Sequence, residues 1–376
     1  MNRIKKLNVL FEGKRVGILA VTRDNRVAFE YDDNWLLNGF PLNPLSLPLN
    51  KQVFIPKYDP FAGLFGAFAD SLPDGWGRLL VDRLLLREGE DPQAIDSINR
   101  LSIVGHSGLG ALVYEPQFDL SDDKDGMDYD QLAEECHKLL MNDYSDHLDE
   151  LFILGGSSGG ARPKIMTVID REPWIIKFPS SYDRADTGLL EYNYAQCAGL
   201  CGIEMMETRL FPSDHSAGYF GTKRFDRRNN PDGSIRRIHM MSVSALLETS
   251  HRIPNLDYNI LMKLTLKLTQ DMNEAEKLYR LMCFNVFAHN RDDHAKNFSF
   301  LFDDQLKRWK LAPAYDLTYS SSIGGEHATS INGNGRNPGL DDLLAVAESV
   351  KLGKEKSRRI ALDIKEIVSS QLSVSN

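Results

Sequence analysis

The run His289-Asn290-Arg291-Asp292-Asp293-His294-Ala295-Lys296-Asn297 sets an Asp and an Asn five positions apart, directly after an amphipathic stretch. Phosphoryl transfer from a nucleoside triphosphate uses that pair. The Asp accepts the proton of the attacking hydroxyl, and the Asn holds a magnesium ion against the triphosphate. A second carboxylate is then needed one short hairpin later, and Asp316 in Ala-Pro-Ala-Tyr-Asp-Leu fills that place. The plain structural reading is a helix end followed by an Asp-rich turn, where Asp and Asn are favoured anyway. What separates the two readings lies upstream.

Residues 155–160 (Gly-Gly-Ser-Ser-Gly-Gly) form a glycine-rich loop, in which backbone amides approach an anion with no Cβ in the way. A Walker-type loop is excluded, because Gly160 is followed by Ala161-Arg162 and not by Lys-Ser/Thr. Two strands are predicted next, over 165–169 and 174–178, joined by the turn Asp170-Arg171-Glu172-Pro173. Lys177 shares a face with Ile175 in the second strand. An isolated lysine there snorkels or marks an edge. Just downstream of a glycine loop, it is placed to clamp the α- and β-phosphates of ATP, with Glu191 on the next helix as its ion-pair partner. The cluster Lys223-Arg224-Phe225-Asp226-Arg227 ends a later strand, near where a two-lobed kinase chain crosses between lobes. Arg224, Phe225 and Asp226 are therefore assigned to the nucleotide, Asp226 to its ribose hydroxyls. His294 is read as a loop-stabilising residue.

The elements that must position these residues follow from periodicity. Residues 7–14 and 15–30 alternate around Glu12-Gly13-Lys14 and predict a β-hairpin. A helix carrying Leu79, Leu80, Val81, Leu84 and Leu85 follows the turn Leu72-Pro73-Asp74-Gly75-Trp76-Gly77, and a glycine-rich turn over 105–110 feeds a short strand. Residues 119–130 are acidic and poor in core formers, so they read as a linker. Helices are predicted near 129–142 and 189–199, and strands near 207–211, 219–225 and 235–239. Leu278, Leu281, Met282, Asn285, Val286 and His289 share one helical face, and that helix delivers the Asp292 loop. The fold class is α+β. A small β-rich N-terminal subdomain (1–118) and the linker (119–130) precede an N-lobe-like region (131–225) with the glycine loop and a mostly helical C-lobe-like region (226–376).

The chain has 376 residues and 42% apolar content, enough for a sizeable core in two or three subdomains. A formal net charge of −9 argues against a chain that grips nucleic acid by itself. No apolar run approaches the roughly 20 residues of a membrane span, and Lys5 and Lys6 precede no signal-peptide apolar block, so a cytoplasmic protein away from membranes is expected. The four cysteines (Cys136, Cys197, Cys201, Cys283) read as reduced core thiols.

Taken together, these motifs resemble the HipA family of serine/threonine protein kinase toxins from bacterial toxin-antitoxin modules. Leu72 to Arg78 and Gly108 to Leu112 are similar to the family's N-terminal subdomain. The stretch Gly156, Ser157, Ser158, Gly159, Gly160, Ala161, Arg162, Pro163, Lys164 resembles its ATP loop, and 292–299 and 314–317 resemble its catalytic and metal-binding motifs. The resemblance implies ATP and Mg2+ as cofactors, Asp292 as catalytic base, Asn297 and Asp316 on the magnesium, and Lys177 on the phosphates. It implies autophosphorylation at Ser157, with Ser158 the adjacent alternative. It further implies a protein substrate, an aminoacyl-tRNA synthetase in the best-studied members, and a HipB-type helix-turn-helix antitoxin through which DNA is reached indirectly. Lys223 stands where some members carry a Glu. Two rivals follow from the same motifs: a small-molecule phosphotransferase, and a catalytically silent corepressor that binds an antitoxin.

Overall fold

In the computed structural model, residues 3–118 and 127–372 are described. Most of the expected acidic linker therefore lies outside the described residues. The chain divides into two compact units, one of Met1–Gly188, Leu210–Met241 and Ala245–Thr249, the other of Leu189–Arg209, Ser242–Ser244 and Ser250–Asn376.

The first unit opens on a five-stranded antiparallel sheet, in the order Val53–Phe54, Val27–Tyr31, Lys14–Val21, Lys6–Phe11, Val113–Glu115. The hairpin expected at its start is present. Glu12 and Gly13 both take positive φ (48° and 72°), the conformation that suits a tight two-residue turn to the twist of its strands. Alternation buries Leu7, Val9 and Phe11, and Phe11 meets Trp35 and Phe40 edge to face.

A second sheet in this unit pairs Lys164–Ile169 with Glu172–Lys177, and the latter with Tyr219–Lys223, all antiparallel. Its inner face supplies Ile165, Ile176, Phe178 and Tyr219 to a core shared with three helices, Gly75–Arg87, Tyr129–Leu140 and Leu148–Gly155. Leu80, Val81, Leu84 and Leu85 face that core from the first helix, with Leu79 at its margin. The helix predicted near 129–142 thus runs Tyr129–Leu140. It starts at a capping box, in which Asp128 accepts from the Gln131 amide and the Gln131 side chain accepts from the Asp128 amide.

The second unit is mostly helical. Its central helix, Met272–Phe287, buries Leu278, Leu281, Met282, Asn285 and Val286, the face the periodicity selects. Beside it in the chain stand Tyr258–Thr269, Leu340–Ser349 and Lys354–Gln371, and the hairpin Ser299–Asp303 with Arg308–Leu311. Residues 256–257 pair in parallel with residues 329–330, which closes the segment after Asp316 back onto the unit. All four cysteines are free thiols buried in the cores. Among the described residues no helix is long and apolar enough to cross a membrane.

His239 in the first unit is buried, and its Nε2–H donates to the Leu42 carbonyl at 2.9 Å. Burial pushes its imidazole from the ordinary 6.5 down to about 4. A base depressed in the folded state contributes stability that is complete above pH 6.5 and is lost as pH falls toward 4. Denaturant titrations at both pH values are expected to show a loss of about 3 kcal/mol from this group. The loss should be absent in His239→Gln, whose amide keeps the bond to Leu42. Equal pH dependence in both proteins rules this out.

Candidate active site

The central helix ends at Phe287, and His289, at φ 51°, turns the chain into the Asp292 loop. Asn290 is buried, donating its amide to the Asn285 carbonyl and Nδ2 to Asn285 Oδ1, each at 2.9 Å. Asn285 Nδ2 then donates to Tyr258 Oη at 2.9 Å, and Tyr258 Oη donates to Asp293 Oδ2 at 3.1 Å. Asp293 also lies 3.0 Å from His327 Nδ1 and accepts from the Thr329 amide at 3.2 Å. Its side chain is 0% exposed, whereas that of Asp292 is 63% exposed. The neighbour is the anchor and Asp292 is the presented group. The sequence reading assigned nothing to Asp293, Tyr258 or His327, since only the fold brings these three together.

Asn297 donates its amide to the His294 carbonyl at 2.8 Å, and its Nδ2 donates to the Asp292 carbonyl at 2.6 Å. Tyr315, immediately before Asp316, donates its hydroxyl to the Lys296 carbonyl at 2.6 Å and sits 2.6 Å from Ser299 Oγ. Those bonds join the three predicted residues in one place: Asn297 to Asp292 directly, Asp316 through its neighbour. Asp316 takes φ 54°, a left-handed conformation that is costly for a residue with a Cβ. Among the described residues no three His, Cys, Asp or Glu side chains gather as a metal centre. One Asn and one Asp nevertheless suit magnesium, which keeps several waters and takes further oxygens from a phosphate substrate. His294 Nε2 is 3.9 Å from Asp292 Oδ1, and its ring meets that of His251 edge on.

The glycine loop lies in the first unit and is not open. Gly155 ends the helix Leu148–Gly155, and the loop packs on the turn before the helix Gly75–Arg87. Asp74 Oδ1 accepts from the Gly160 amide, and the Trp76 amide donates to the Gly160 carbonyl at 2.9 Å. A Cβ on Gly75 would strike the Gly160 carbonyl, and one on Gly77 the Ser158 carbonyl. Only glycine admits so close a backbone approach. Ser157 donates to the Ser107 carbonyl at 2.8 Å and Ser158 to the Gly155 carbonyl at 2.6 Å. Both serines are buried, at 7% and 1% exposure.

Lys177 keeps the expected alternation, half-buried with Ile175 while Trp174, Ile176 and Phe178 face the core. Its ammonium lies 5.5 Å from the centre of the Phe220 ring. Directly opposite in the strand pair is Lys164, whose Nζ donates to the Gly159 carbonyl at 2.5 Å. Two lysines on one face at matched register repel one another unless an anion lies between them. Glu191 is buried in the helix Thr187–Leu200 and belongs to the second unit, whereas Lys177 belongs to the first.

Asp226 differs from its expected role. It is buried, with Arg224 donating to both its oxygens (2.9 and 2.8 Å), Arg227 to one (2.8 Å), and the Gly110 amide to the same one (2.7 Å). Burial pushes its carboxyl up, but the two guanidiniums outweigh that and hold it well below the usual carboxylate range. Arg227 and Arg237 donate onward to the carbonyls of Gly108 and Gly110. A carboxylate so enclosed supports the 108–110 turn and is not oriented to receive ribose hydroxyls. Phe225, between these charges, is half-buried.

Residues 7–115 match the HipA N-terminal domain and residues 156–372 the HipA-like C-terminal domain. Two curated Sinorhizobium fredii (strain NBRC 101917 / NGR234) proteins are similar along most of their length. The one named "Putative kinase Y4mE" is 28% identical over 345 residues, covering 84% of this chain and 77% of its own. "Putative kinase Y4dM" is 24% identical over 349 residues, covering 88% and 81%. Among solved structures, the Shewanella oneidensis MR-1 HipA, HipB and operator DNA complex contains a chain that superposes with a TM-score of 0.71 at 18% identity, over 98% of this chain and 92% of that one. The likeness shows a shared fold, the kinase-like α+β class.

The Asp74 contact yields a measurable consequence. Asp74→Ala is expected to speed exchange of the Gly160 amide by roughly tenfold, as the loss of one charge-assisted hydrogen bond would, with the core amides of helix Leu148–Gly155 unaffected. Unchanged exchange at Gly160 would mean that the loop holds its place without Asp74.

Proposed function

From the chain's membership of the HipA family, we propose that it is a magnesium- and ATP-dependent protein serine/threonine kinase, the toxin of a bacterial toxin-antitoxin pair. The observation that carries the reading is chemical completeness within each unit. The first has matched Lys164 and Lys177 beside a glycine loop, and the second has Asp292, Asn297 and Asp316 on one hydrogen-bonded frame. The lysines supply positive charge for the phosphates of ATP. Asn297 and Asp316 would hold magnesium, which when bound neutralises charge developing on the phosphate oxygens. Asp292 takes the hydroxyl proton of the acceptor serine as its oxygen bonds to the γ-phosphorus and the bond from that phosphorus to ADP breaks. Little covalent chemistry is asked of the protein, so positioning dominates.

The HipA, HipB and operator DNA complex of Shewanella oneidensis supports a HipB-type antitoxin as partner. A chain of net charge −9 would reach DNA through that partner, not by itself. Ser157, or Ser158, is the proposed autophosphorylation site. Each hydroxyl is engaged in an internal hydrogen bond, so transfer requires the loop to leave the Asp74 turn.

Incubation with γ-labelled ATP, magnesium and a lysate protein fraction tests the reading. Asp292→Ala should fold normally, by thermal melt, and lose about 10²–10⁴ in rate. Asn297→Ala and Asp316→Ala should instead raise the magnesium concentration required. Transfer within a few-fold of the parent in all three variants would refute the assignment. Peptide mass spectrometry should find phosphate on Ser157 or Ser158 sooner in Asp74→Ala than in the parent. A slower or equal appearance contradicts release of the loop as the controlling step.

A further inference from the structure

The chain leaves the second unit for the first at the Ser244–Ala245 peptide and returns at Thr249–Ser250, so a short strap of the first unit is held in sequence between two stretches of the second. Just before the strap, the chain is fastened to the Asp292 loop. The Val243 amide donates to the Phe298 carbonyl at 2.8 Å and the Ser244 amide to the Ala295 carbonyl at 3.0 Å, and these two acceptors bracket Asn297. Val243, Ser244, Ala245 and Leu246 are all buried.

From Ala245 onward the chain is fastened to the N-terminal part of the first unit. Asn43, 0% exposed, donates Nδ2 to the Ala245 carbonyl at 3.2 Å and to the Leu246 carbonyl at 3.3 Å, across 202 and 203 positions of chain. Its Oδ1 accepts from the Leu45 amide at 2.8 Å, which fixes the orientation of the side-chain amide. Glu248 accepts from the Ser46 hydroxyl at 2.9 Å and, with both oxygens, from the Gly66 amide at 3.1 Å. Gly66 opens the helical turn Gly66–Ala69, where Phe65 supplies no side-chain cap, so a carboxylate from 182 positions away does so. A Cβ on Gly66 would strike the Ala245 carbonyl, so backbone lies on backbone with no side chain between to yield. Glu248 takes φ 51°, which is costly for a residue with a Cβ and persists only where the surrounding bonds determine it.

We propose that Asn43 and Glu248 are positioning residues for the Asp292 loop, acting through the strap, so that the N-terminal subdomain sets the placement of Asp292 and Asn297. That these two carry out phosphoryl transfer rests on the kinase reading above. A single planar peptide separates the last residue bonded to the loop, Ser244, from the first bonded to Asn43, Ala245, so a displacement passes along the chain with little slack. The Asp293 network fixes the loop on residues of its own unit, and the strap adds a restraint that originates outside it. Coupling of this kind is reciprocal. A ligand that orders the Asp292 loop protects the Glu248 anchor, and a molecule that displaces the strap from Asn43 and Ser46 alters the loop.

Hydrogen exchange in the full chain tests the coupling without needing activity. In Glu248→Ala the Gly66 amide reports the anchor, the Val243 and Ser244 amides report the strap, and the Asn297 amide, bonded to the His294 carbonyl, reports the loop. All four should exchange roughly tenfold faster than in the parent, as the loss of a charge-assisted hydrogen bond would cause, while core amides of the central helix Met272–Phe287 keep the parent's rate. Glu248→Gln, whose Oε1 still accepts, should restore most of the protection. Unchanged exchange at Ser244 and Asn297 overturns the proposal whether or not Gly66 is loosened, and so does exchange that rises everywhere, central helix included. If Glu248→Ala does not fold, Ser46→Ala removes one bond to the same carboxylate and carries the comparison, with an expected rise of about threefold. In the labelled-ATP assay kcat should fall about tenfold in Glu248→Ala and recover in Glu248→Gln. An unchanged kcat with a loosened loop refutes the positioning role. A parent that transfers no phosphate refutes the kinase reading instead, and the exchange comparison still decides the coupling.

Discussion

A carboxylate closed off from water has to be hydrogen-bonded on every side or it destabilises the fold that encloses it. Asp293 is that carboxylate in the second unit. Its partners come from the first turn of the helix Tyr258–Thr269 and from the arm that returns after Asp316, and Asn285 extends the same network into the central helix. Moving the loop breaks several of these bonds together. Asp292, one residue earlier, inherits a fixed backbone while its side chain stays in solvent, the placement that its proposed role as general base requires.

The first unit uses the same device for a different end. Asp226 sits between two guanidiniums, and the arginines Arg227 and Arg237 reach the carbonyls of Gly108 and Gly110. Beside that turn, Ser107 offers its carbonyl to Ser157. The Arg-Phe-Asp-Arg motif thus influences the glycine loop at one remove, through the stiffness of the turn against which the loop rests. Burial holds the guanidiniums of Arg227 and Arg237 down to about 9 and about 10, and they remain cationic at neutral pH because Asp226 opposes that shift. Losing the Asp would leave buried charge uncompensated, a costlier outcome than losing a surface pair.

Periodicity and turn chemistry made the elements legible. The hairpin at Glu12-Gly13, the capped helix Tyr129–Leu140, the lysine strand Glu172–Lys177 and the central helix Met272–Phe287 each carry a local signal that tertiary packing does not reverse. In the candidate site, residues that face solvent were visible as an Asp and an Asn at a fixed spacing. Residues that hold them were not. Tyr258, Asp293 and His327 lie up to 69 positions apart in the chain, and nothing in their local sequence marks them as partners. Asp226 misled for a related reason: composition shows a charge cluster but not whether its charges face one another or a ligand. The glycine loop was legible as flexible backbone, yet its contact with the Asp74 turn depends on Gly75 and Gly77 being without a Cβ at two close approaches, a steric fact with no signature in a single chain.

That close approach bears on how one loop serves two proposed ends. With the loop against the Asp74 turn, Gly160 and both serine hydroxyls are satisfied internally, so the backbone is ordered and its residues are shielded. Cradling phosphates asks for an ordered backbone, and offering a serine as acceptor asks for an exposed one. The two states share Gly160, Ser157 and Ser158 and cannot be occupied together. A phosphate attached in the exposed state would then bar the return, because the Ser107 and Gly155 carbonyls that now accept from the hydroxyls would face an anion instead of a donor. Carbonyl oxygen against phosphate oxygen is a repulsive contact in a space with little room for water. The proposed switch would rest on one narrow steric seat and on the hydrogen-bond polarity of what fills it.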